Sequence, residues 1–335
     1  DHLGLGDIDT IDQMARVKAV IAESVHADGY AVLNADDERV AAMAKQVIGK
    51  VAYFSMDADH PLIRAHVQRG GIAAVYEQGY ISILQQDWVH RIEKVERVPI
   101  TLGGRAPFMI ANALAASLAT FVQGVKIEQI RAGLRSFRAS AEQTPGRMNL
   151  FNLGNYHALV DYAHNPAGYA AVGSFVKNWP GQSIGVIGGP GDRRDEDLIE
   201  LGRLSATFFD RIVIKEDREL RGRDRGEVAE LIVKGIAQAQ TEADAPVPHS
   251  IELDEAEALK WALDQASENT LVAIFADNVT QSIALIMSRN PIPDDAQPTV
   301  SAELQPDNLA IPEPPTASNH NNGAIPPILL TMPNS

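Results

Sequence analysis

The sequence predicts an α/β protein in which strands and helices alternate along the chain. Within residues 158–197, two apolar runs of strand type, 158–161 and 183–187, each end in a turn rich in Gly, Pro, Asn and charged residues. Apolar residues follow the first turn at helical spacing, at Tyr169, Val172, Phe175 and Val176. This succession is typical of a parallel sheet, whose loops at the carboxyl ends of the strands line the ligand crevice.

The composition limits the class of protein. With 335 residues, 45% of them hydrophobic, the chain is long enough for one large or two medium domains. The net charge of −15 argues against a surface that binds nucleic acid or an anionic membrane. The lack of cysteine excludes disulfides and Cys-ligated metals. No apolar run reaches the roughly 18 residues of a membrane span, and no signal-peptide pattern opens the chain, so we expect a cytoplasmic protein.

The first part of the chain has the rhythm of a parallel sheet. The pattern predicts a helix over 12–27, a strand over 30–33, a capped helix over 38–47 and a strand over 50–55. In the first helix the apolar residues near one face are Met14, Val17, Ile21 and Val25. Short β-type runs at 73–76, 80–83 and 93–100 are then separated by Gly, and we expect an antiparallel appendage or a sheet edge there.

A second α/β unit follows a domain boundary expected near Gly103-Gly104. An apolar helix over 107–123 should be mostly buried, and a second helix follows over 126–136. Further strands are predicted near 148–153, 157–161, 183–187, 211–215 and 271–275, with helices near 168–178, 197–208, 226–239 and 255–266. The domains are thus 1–103 and 104–289. The Pro- and Asn-rich tail, 290–335, is predicted to be disordered because it cannot bury enough apolar surface to offset its ordering entropy.

Polar side chains follow two of these strands where the strands end. Asp161, His164 and Asn165 leave one buried strand together, which favours a site modestly over a structural role. Asp192 and Arg193 follow the Gly-rich turn after the next strand. Glycines let a backbone approach phosphate and arginine binds phosphate through two nitrogens, so phosphate contact is at least as good an explanation as a tight turn.

Other candidates have two interpretations each. The charged run after the strand at 211–215 is either a solvated face or a grip on a charged substrate such as an amino acid, and it includes Lys215, Glu216, Asp217 and Arg218. Asn112, inside the apolar helix, either caps a neighbouring loop or contacts an adenine edge. Arg147 is a surface residue or an anion contact. A structural role is the simpler explanation for His2, since Mg²⁺ prefers oxygen ligands.

Together these segments resemble the Mur ligase superfamily, whose members join an amino acid to a carboxylate through an acyl phosphate made from ATP. The resemblance rests on six motifs in the order of the family, at residues 1–3 (DHL), 32–37 (VLNADD), 112–116 (NALAA), 146–147 (GR), 160–166 (VDYAHNP) and 189–195 (GPGDRRD). Longer phrases, such as DYAHNPAGYAAV and KEDRELRGRDRGE, are similar to the C-terminal module of ligases that add arginine to a polyaspartate backbone. The similarity runs from residue 1 to about 289.

The resemblance implies a partial P-loop-type central domain, then a Rossmann-like C-terminal domain, with ATP bound between them. It makes His2 a Mg²⁺ ligand and Asn112 an adenine contact. It also implies a set of nucleotide contacts: Arg147, Asp161, His164, Asn165 and Asp192. His164 and Arg193 become the candidate catalytic residues. Residues 215–218, together with Arg193, would hold L-arginine for transfer to a β-aspartyl primer, in an expected homo-oligomer.

One departure from the family bears on activity. The P-loop motif Gly-x-x-x-x-Gly-Lys-Ser/Thr does not occur in this chain. We therefore expect a fragment that is inactive alone and works with a missing N-terminal part, in cis or in trans. The alternative is a non-catalytic, split or degenerate module that binds substrate or pairs with an ATPase subunit. A nicotinamide oxidoreductase is disfavoured because no G-x-G-x-x-G follows a strand. The choice between arginine and lysine is open.

Overall fold

The computed structural model describes residue 3 and residues 7–240 and 246–293. His2 and the tail from 294 onward, for which disorder is predicted, lie outside these residues. The described residues form two sheets with helices packed on their faces, which confirms the α/β class. None of their helices is both long enough and apolar enough to cross a bilayer.

The first sheet has five strands in chain order. The first three pair in parallel and the last three pair antiparallel, so the predicted appendage is the edge of this sheet. The strands are β1 (Tyr30–Asn34), β2 (Lys50–Ser55), β3 (Ile72–Glu77), β4 (Tyr80–Gln85) and β5 (Trp88–Lys94). The helices that accompany them are α1 (Ile11–Glu23), α2 (Glu38–Ala42) and α3 (Pro61–Gln68).

Local sequence explains where these helices begin, but one prediction in this region is wrong. Asp37 caps α2 by accepting two backbone amides, as expected from its position. The strand predicted over 93–100 ends at Lys94, because Lys94 lies opposite Tyr80, where the partner strand β4 begins, and two 3₁₀ turns follow. Val17 and Ile21 are exposed, since α1 packs through small residues instead.

The apolar helix α4 (Pro107–Val122) connects the two halves of the molecule. With α5 (Ile127–Ser136) it covers the first sheet, where Ile110 and Leu114 join the core of that sheet. Met109, the residue before Ile110, belongs to the core of the second sheet. The domain boundary at 103–104 stays a prediction.

The second sheet has six strands in the order β10-β9-β8-β11-β7-β6. All neighbours pair in parallel except β6 with β7. The strands are β6 (Asn149–Asn152), β7 (His157–Asp161), β8 (Ser183–Ile187), β9 (Arg211–Ile214), β10 (His249–Ile251) and β11 (Leu271–Phe275). The helices are α6 (Pro166–Lys177), α7 (Asp195–Ser205), α8 (Glu227–Gln240), α9 (Glu255–Gln265) and α10 (Val279–Met287).

Register brings the ends of the parallel strands level with one another. Phe275 of β11 lies opposite Asp161 of β7, and Ile187 of β8 lies opposite Ile214 of β9. Helices cover both faces, so β8 and β11 are buried along their whole length. The residues that follow β7, β8, β9 and β11 therefore meet at one carboxyl edge.

Candidate active site

A cleft of about 680 Å³ opens at the carboxyl edge of the second sheet. It lies among the loops after β9 and β11 and the start of α9. Its lining contains three arginines, Arg218, Arg221 and Arg225, and a larger set of acidic residues: Glu216, Asp217, Glu219, Asp254, Glu255 and Asp277. The excess of carboxylates makes the cleft suited to a cationic ligand.

A buried ion cluster supports this cleft. The Nζ of Lys215, which is 1% exposed, lies 2.9 Å from Asp217 Oδ1 and 2.7 Å from Glu255 Oε2. Glu255 also accepts the backbone amides of Asp277 and Asn278. Burial disfavours both charges, but their pairing outweighs it, so the pKa of Lys215 is raised and the pKa of Glu255 is lowered. Lys215 and Glu255 thus stay charged and tie three loops together.

The other predicted residues of the loop after β9 differ in whether their side chains already bond to other parts of the protein. The buried carboxylate of Glu216 accepts the amide of Gly226 on both oxygens and the amide of Ala229, so it caps α8. Asp217 and the exposed Arg218 also line the cleft. Of these, Arg218 carries its cationic side chain at the surface, while Glu216 and Lys215 hold the loop in shape.

The loop after β8 runs across the same ion cluster. A Cβ at Gly188 would lie 2.7 Å from the carbonyl oxygen of Lys215 and 2.8 Å from its Cε, so only glycine fits there. The Tyr169 hydroxyl donates to the Gly188 carbonyl oxygen at 2.6 Å, and the Tyr169 ring stacks on Phe275. Close packing against Lys215 and Tyr169 therefore holds the Gly-rich turn in place.

The loop after β8 also carries a buried cation, Arg193. The residue is 8% exposed, and its Nε and Nη1 have no hydrogen-bond partner within residues 7–240 and 246–293. The adjacent Arg194, by contrast, donates through two nitrogens to Asp197. A buried guanidinium without acceptors is unfavourable unless an anion supplies them. The position therefore fits a phosphate or a carboxylate.

The loop after β7 is held by its own polar groups. Asp161 accepts the amides of Met148 and Ala163, and burial raises its pKa although these amides and Arg147 oppose the shift. Asn165 caps α6 by accepting the amide of Gly168.

Two exposed or half-buried groups stand above that loop. His164 Nδ1 lies 3.0 Å from the Tyr162 carbonyl oxygen. The exposed guanidinium of Arg147 sits 5.6 Å from the centroid of the Tyr162 ring. Arg147 and His164 thus both contact the exposed Tyr162 ring after the end of β7.

Asn112 is more exposed than the sequence predicts. The helix around Asn112 was expected to bury it, but the side chain lies on an exposed face of α4, 3.6 Å from Met109 Sδ. The adenine contact stays a prediction.

Among residues 7–240 and 246–293 no group of three or more His, Asp or Glu side chains is arranged to hold a metal ion. These residues do not fit a complete Mg²⁺ site, and the role of His2 stays a prediction.

Sequence reasoning missed three residues that shape the cleft, namely Glu255, Asp277 and Asn278. Asp277 and Asn278 follow β11 almost directly, so the rule that identified Asp161 would also have identified them. Glu255 lies 40 positions from Lys215 along the chain, and no local pattern indicates that they pair.

Comparison with protein families agrees with this geometry. Residues 1–120 match the Mur ligase middle domain, and residues 146–278 match the Mur ligase glutamate ligase domain. Among solved structures, E. coli FolC in complex with DHPP and ADP is similar with a TM-score of 0.58 at 15% identity, over 83% of this chain and 56% of that one. MurF from Acinetobacter baumannii gives 0.55 at 19% identity, over 83% and 56%. These two likenesses show the fold.

Curated relatives match at higher identity. The cyanophycin synthetase of a Nostoc species is 61% identical over 309 residues, which cover 92% of this chain and 34% of the relative. That of Crocosphaera subtropica is 65% identical over 292 residues, which cover 87% and 33%. The chain spans about a third of the length of these relatives. It belongs to the Mur ligase superfamily and is similar, over most of its length, to cyanophycin synthetases.

Proposed function

We propose that this chain is the amino-acid-adding part of an ATP-dependent amide ligase that joins L-arginine to the β-carboxyl of aspartate in cyanophycin. The observation that carries the proposal is that a candidate anion site and a candidate cation site both lie at the carboxyl edge of the second sheet. The buried Arg193 offers an anion its Nε and Nη1, which have no hydrogen-bond partner among the described residues. The neighbouring cleft offers an excess of carboxylates to a cation.

The charge of the cleft supports arginine as the amino acid. A guanidinium binds carboxylates through two parallel hydrogen bonds, which a lysine ammonium cannot reproduce. Asp217 and Asp277 line the cleft from separate loops, after β9 and β11. Lys215 pairs with Asp217 and therefore offsets only part of the negative charge of the lining. Arg218 and Arg221, also in the lining, are suited to the α-carboxylate of the same amino acid.

The proposed chemistry has two steps. The β-carboxylate of the primer takes the γ-phosphoryl group of ATP, and ADP leaves. The α-amine of arginine then attacks the acyl carbon, phosphate leaves, and the nitrogen loses a proton as the amide forms. Arg193 is assigned to the negative charge of the phosphoryl group in both steps. His164, Arg147 and Asn112 are assigned to the nucleotide.

Mg²⁺, when bound, would offset phosphate charge. The described residues contain no complete set of ligands for the ion. This sequence also does not contain the P-loop motif. The proposal therefore includes a nucleotide-binding part supplied in cis or in trans.

The test is ATP-dependent incorporation of labelled arginine into a β-aspartyl primer. We expect none from the 335 residues alone and clear incorporation when they are fused to the remaining segments of a cyanophycin synthetase. In the fusion, Arg193→Lys should lower incorporation at least tenfold, whereas Arg203→Lys, in a paired surface arginine of α7, should not. Incorporation by the chain alone would contradict the need for a P-loop. A silent fusion would favour the non-catalytic binding module.

A further inference from the structure

The loops after β8 and β9 touch through their backbones. A Cβ added at Gly191 would lie 2.1 Å from the carbonyl oxygen of Leu220. Gly191 does not adopt a left-handed conformation, so close approach explains this glycine. The loop that carries Arg193 therefore rests directly on the loop that lines the acidic cleft.

Arg223 fastens this contact. Its Nε donates to the Gly191 carbonyl oxygen at 2.7 Å, and its Nη2 donates to the Arg193 carbonyl oxygen at 2.8 Å. These two carbonyls lie on either side of Asp192. The fork of one guanidinium thus fixes the backbone at both ends of the Asp192-Arg193 step.

Acidic partners hold Arg223 itself in place. Its Nη2 also bonds to Asp195 Oδ1 at 2.7 Å, and its Nη1 bonds to Glu227 Oε1 at 2.5 Å. The side chain is 15% exposed, so these bonds are only partly screened by water. A second strut, from Arg221 Nη1 to Asp192 Oδ2 at 2.9 Å, crosses the same gap.

From this arrangement we infer that Arg223 is a positioning residue that sets the location of the Arg193 guanidinium. The nitrogens of Arg223 donate to backbone carbonyls and carboxylates. Among the described residues, Nε and Nη1 of Arg193 have no such acceptor and stay available for an anion. A lysine at 223 would keep the charge but could not span both carbonyls. Because small displacements of a catalytic group can cost about 100-fold in rate, the fork is expected to matter more than the charge.

The inference rests on the proposed role of Arg193, so the test includes a readout that is independent of activity. Hydrogen exchange of the segment 188–194 is measured by mass spectrometry in the full chain and in Arg223→Lys. We expect exchange there to accelerate at least tenfold, with the remainder of the chain unchanged. Binding of inorganic tripolyphosphate, measured by calorimetry, should weaken at least tenfold in the same variant.

Two further variants sharpen the result. Gly191→Ala should reproduce the effects of Arg223→Lys while leaving the Arg223 guanidinium in place, because it forces the two loops apart. Arg203→Lys, which alters a fork pair with Glu200 on α7, should behave as the unmodified chain.

The outcomes separate this inference from the proposed function. Unchanged exchange in Arg223→Lys, or acceleration spread over the whole chain, would overturn the positioning role. If the unmodified chain binds no tripolyphosphate while the loop still opens in Arg223→Lys and Gly191→Ala, the anion site fails and the positioning of the loop by Arg223 stands.

Discussion

Arg193 combines burial with missing hydrogen bonds, and this combination has a consequence for stability. A buried polar group without a partner costs about 1–3 kcal/mol. Residues that are poised for a ligand often carry such a cost, which the ligand removes on binding. Arg193 is therefore expected to reduce the stability of the ligand-free chain.

Arg193→Met tests this at the residue scale. Met fills a similar length with an apolar side chain, so the free energy of unfolding in urea should rise by about 1 kcal/mol while tripolyphosphate binding is lost. Arg194→Met is the matched control, since Arg194 is paired with Asp197 and Glu196 and its removal should give no increase. A clear loss of stability in Arg193→Met would mean that the guanidinium is already satisfied in the folded chain.

The sequence locates individual site residues better than it assigns their roles. Asp161, Asn165 and Glu216 were found because polar residues after buried strands are conspicuous. Each of them, however, binds a nearby backbone amide, and only the folded chain shows this. Arg193 resembles Arg194 in the sequence, and what distinguishes them is that Arg194 donates to Asp197 through two nitrogens, whereas Nε and Nη1 of Arg193 have no hydrogen-bond partner among the described residues.

At the scale of elements, the Lys215 cluster joins the ends of β9 and β11 to the start of α9. Removing one member of a buried ion pair leaves an uncompensated charge and typically costs about 3–5 kcal/mol. Lys215→Met should therefore destabilise the chain by about that amount. The surface pair of Lys260 with Glu257 serves as the control, and Lys260→Met should change the free energy of unfolding by less than about 1 kcal/mol.

The same cluster predicts a pH dependence. The pKa of Glu255 in the folded chain lies below its ordinary value of 4.5, so its contribution is present above about pH 4.5 and is lost as the pH falls through the folded pKa. In Lys215→Met the buried Glu255 should instead have a raised pKa and gain from protonation. The difference in unfolding free energy between the two proteins should narrow from pH 7 to pH 5, and a constant difference would contradict the pairing.

Helices α7 and α8 meet through glycines. A Cβ at Gly235 would lie 1.8 Å from the carbonyl oxygen of Ile199, so the two backbones are in direct contact. Gly235→Ala should destabilise the chain by about 1–3 kcal/mol through overpacking. Gly133→Ala, inside α5, meets nothing within 4 Å and should stabilise by about 0.5–1 kcal/mol because alanine has the higher helix propensity. Thermal unfolding of both variants distinguishes packing from propensity.

Periodicity predicted most elements and misplaced those that depend on distant contacts. The buried runs that became β8 and β11 were clear, because helices on both faces require continuous apolar residues. β10 was not predicted, since its three exposed residues at the sheet edge carry no such pattern. In α1 the buried residues are Ala19 and Ala22 rather than the larger apolar residues that define its pattern in the sequence.

At the scale of the whole molecule, charge is distributed unevenly. The chain has a net charge of −15, and part of that excess lines the cleft beside Arg193. The order of the elements and the motif resemblance together were enough to predict two α/β units. The acidic cleft was not predictable in shape, because three separated segments, at 216–225, 253–256 and 277–281, build it.

The central claim is that this cleft binds the cationic side chain of an amino acid. Calorimetric titration of the chain with L-arginine and with L-citrulline, its neutral isostere, tests it most directly, since neither needs ATP. We expect arginine to bind at least tenfold more tightly than citrulline, and Asp277→Asn to weaken arginine binding at least tenfold. Asp264→Asn, on α9 and paired with Arg289, should leave it unchanged. Equal binding of arginine and citrulline, or no effect of Asp277→Asn, would contradict the account.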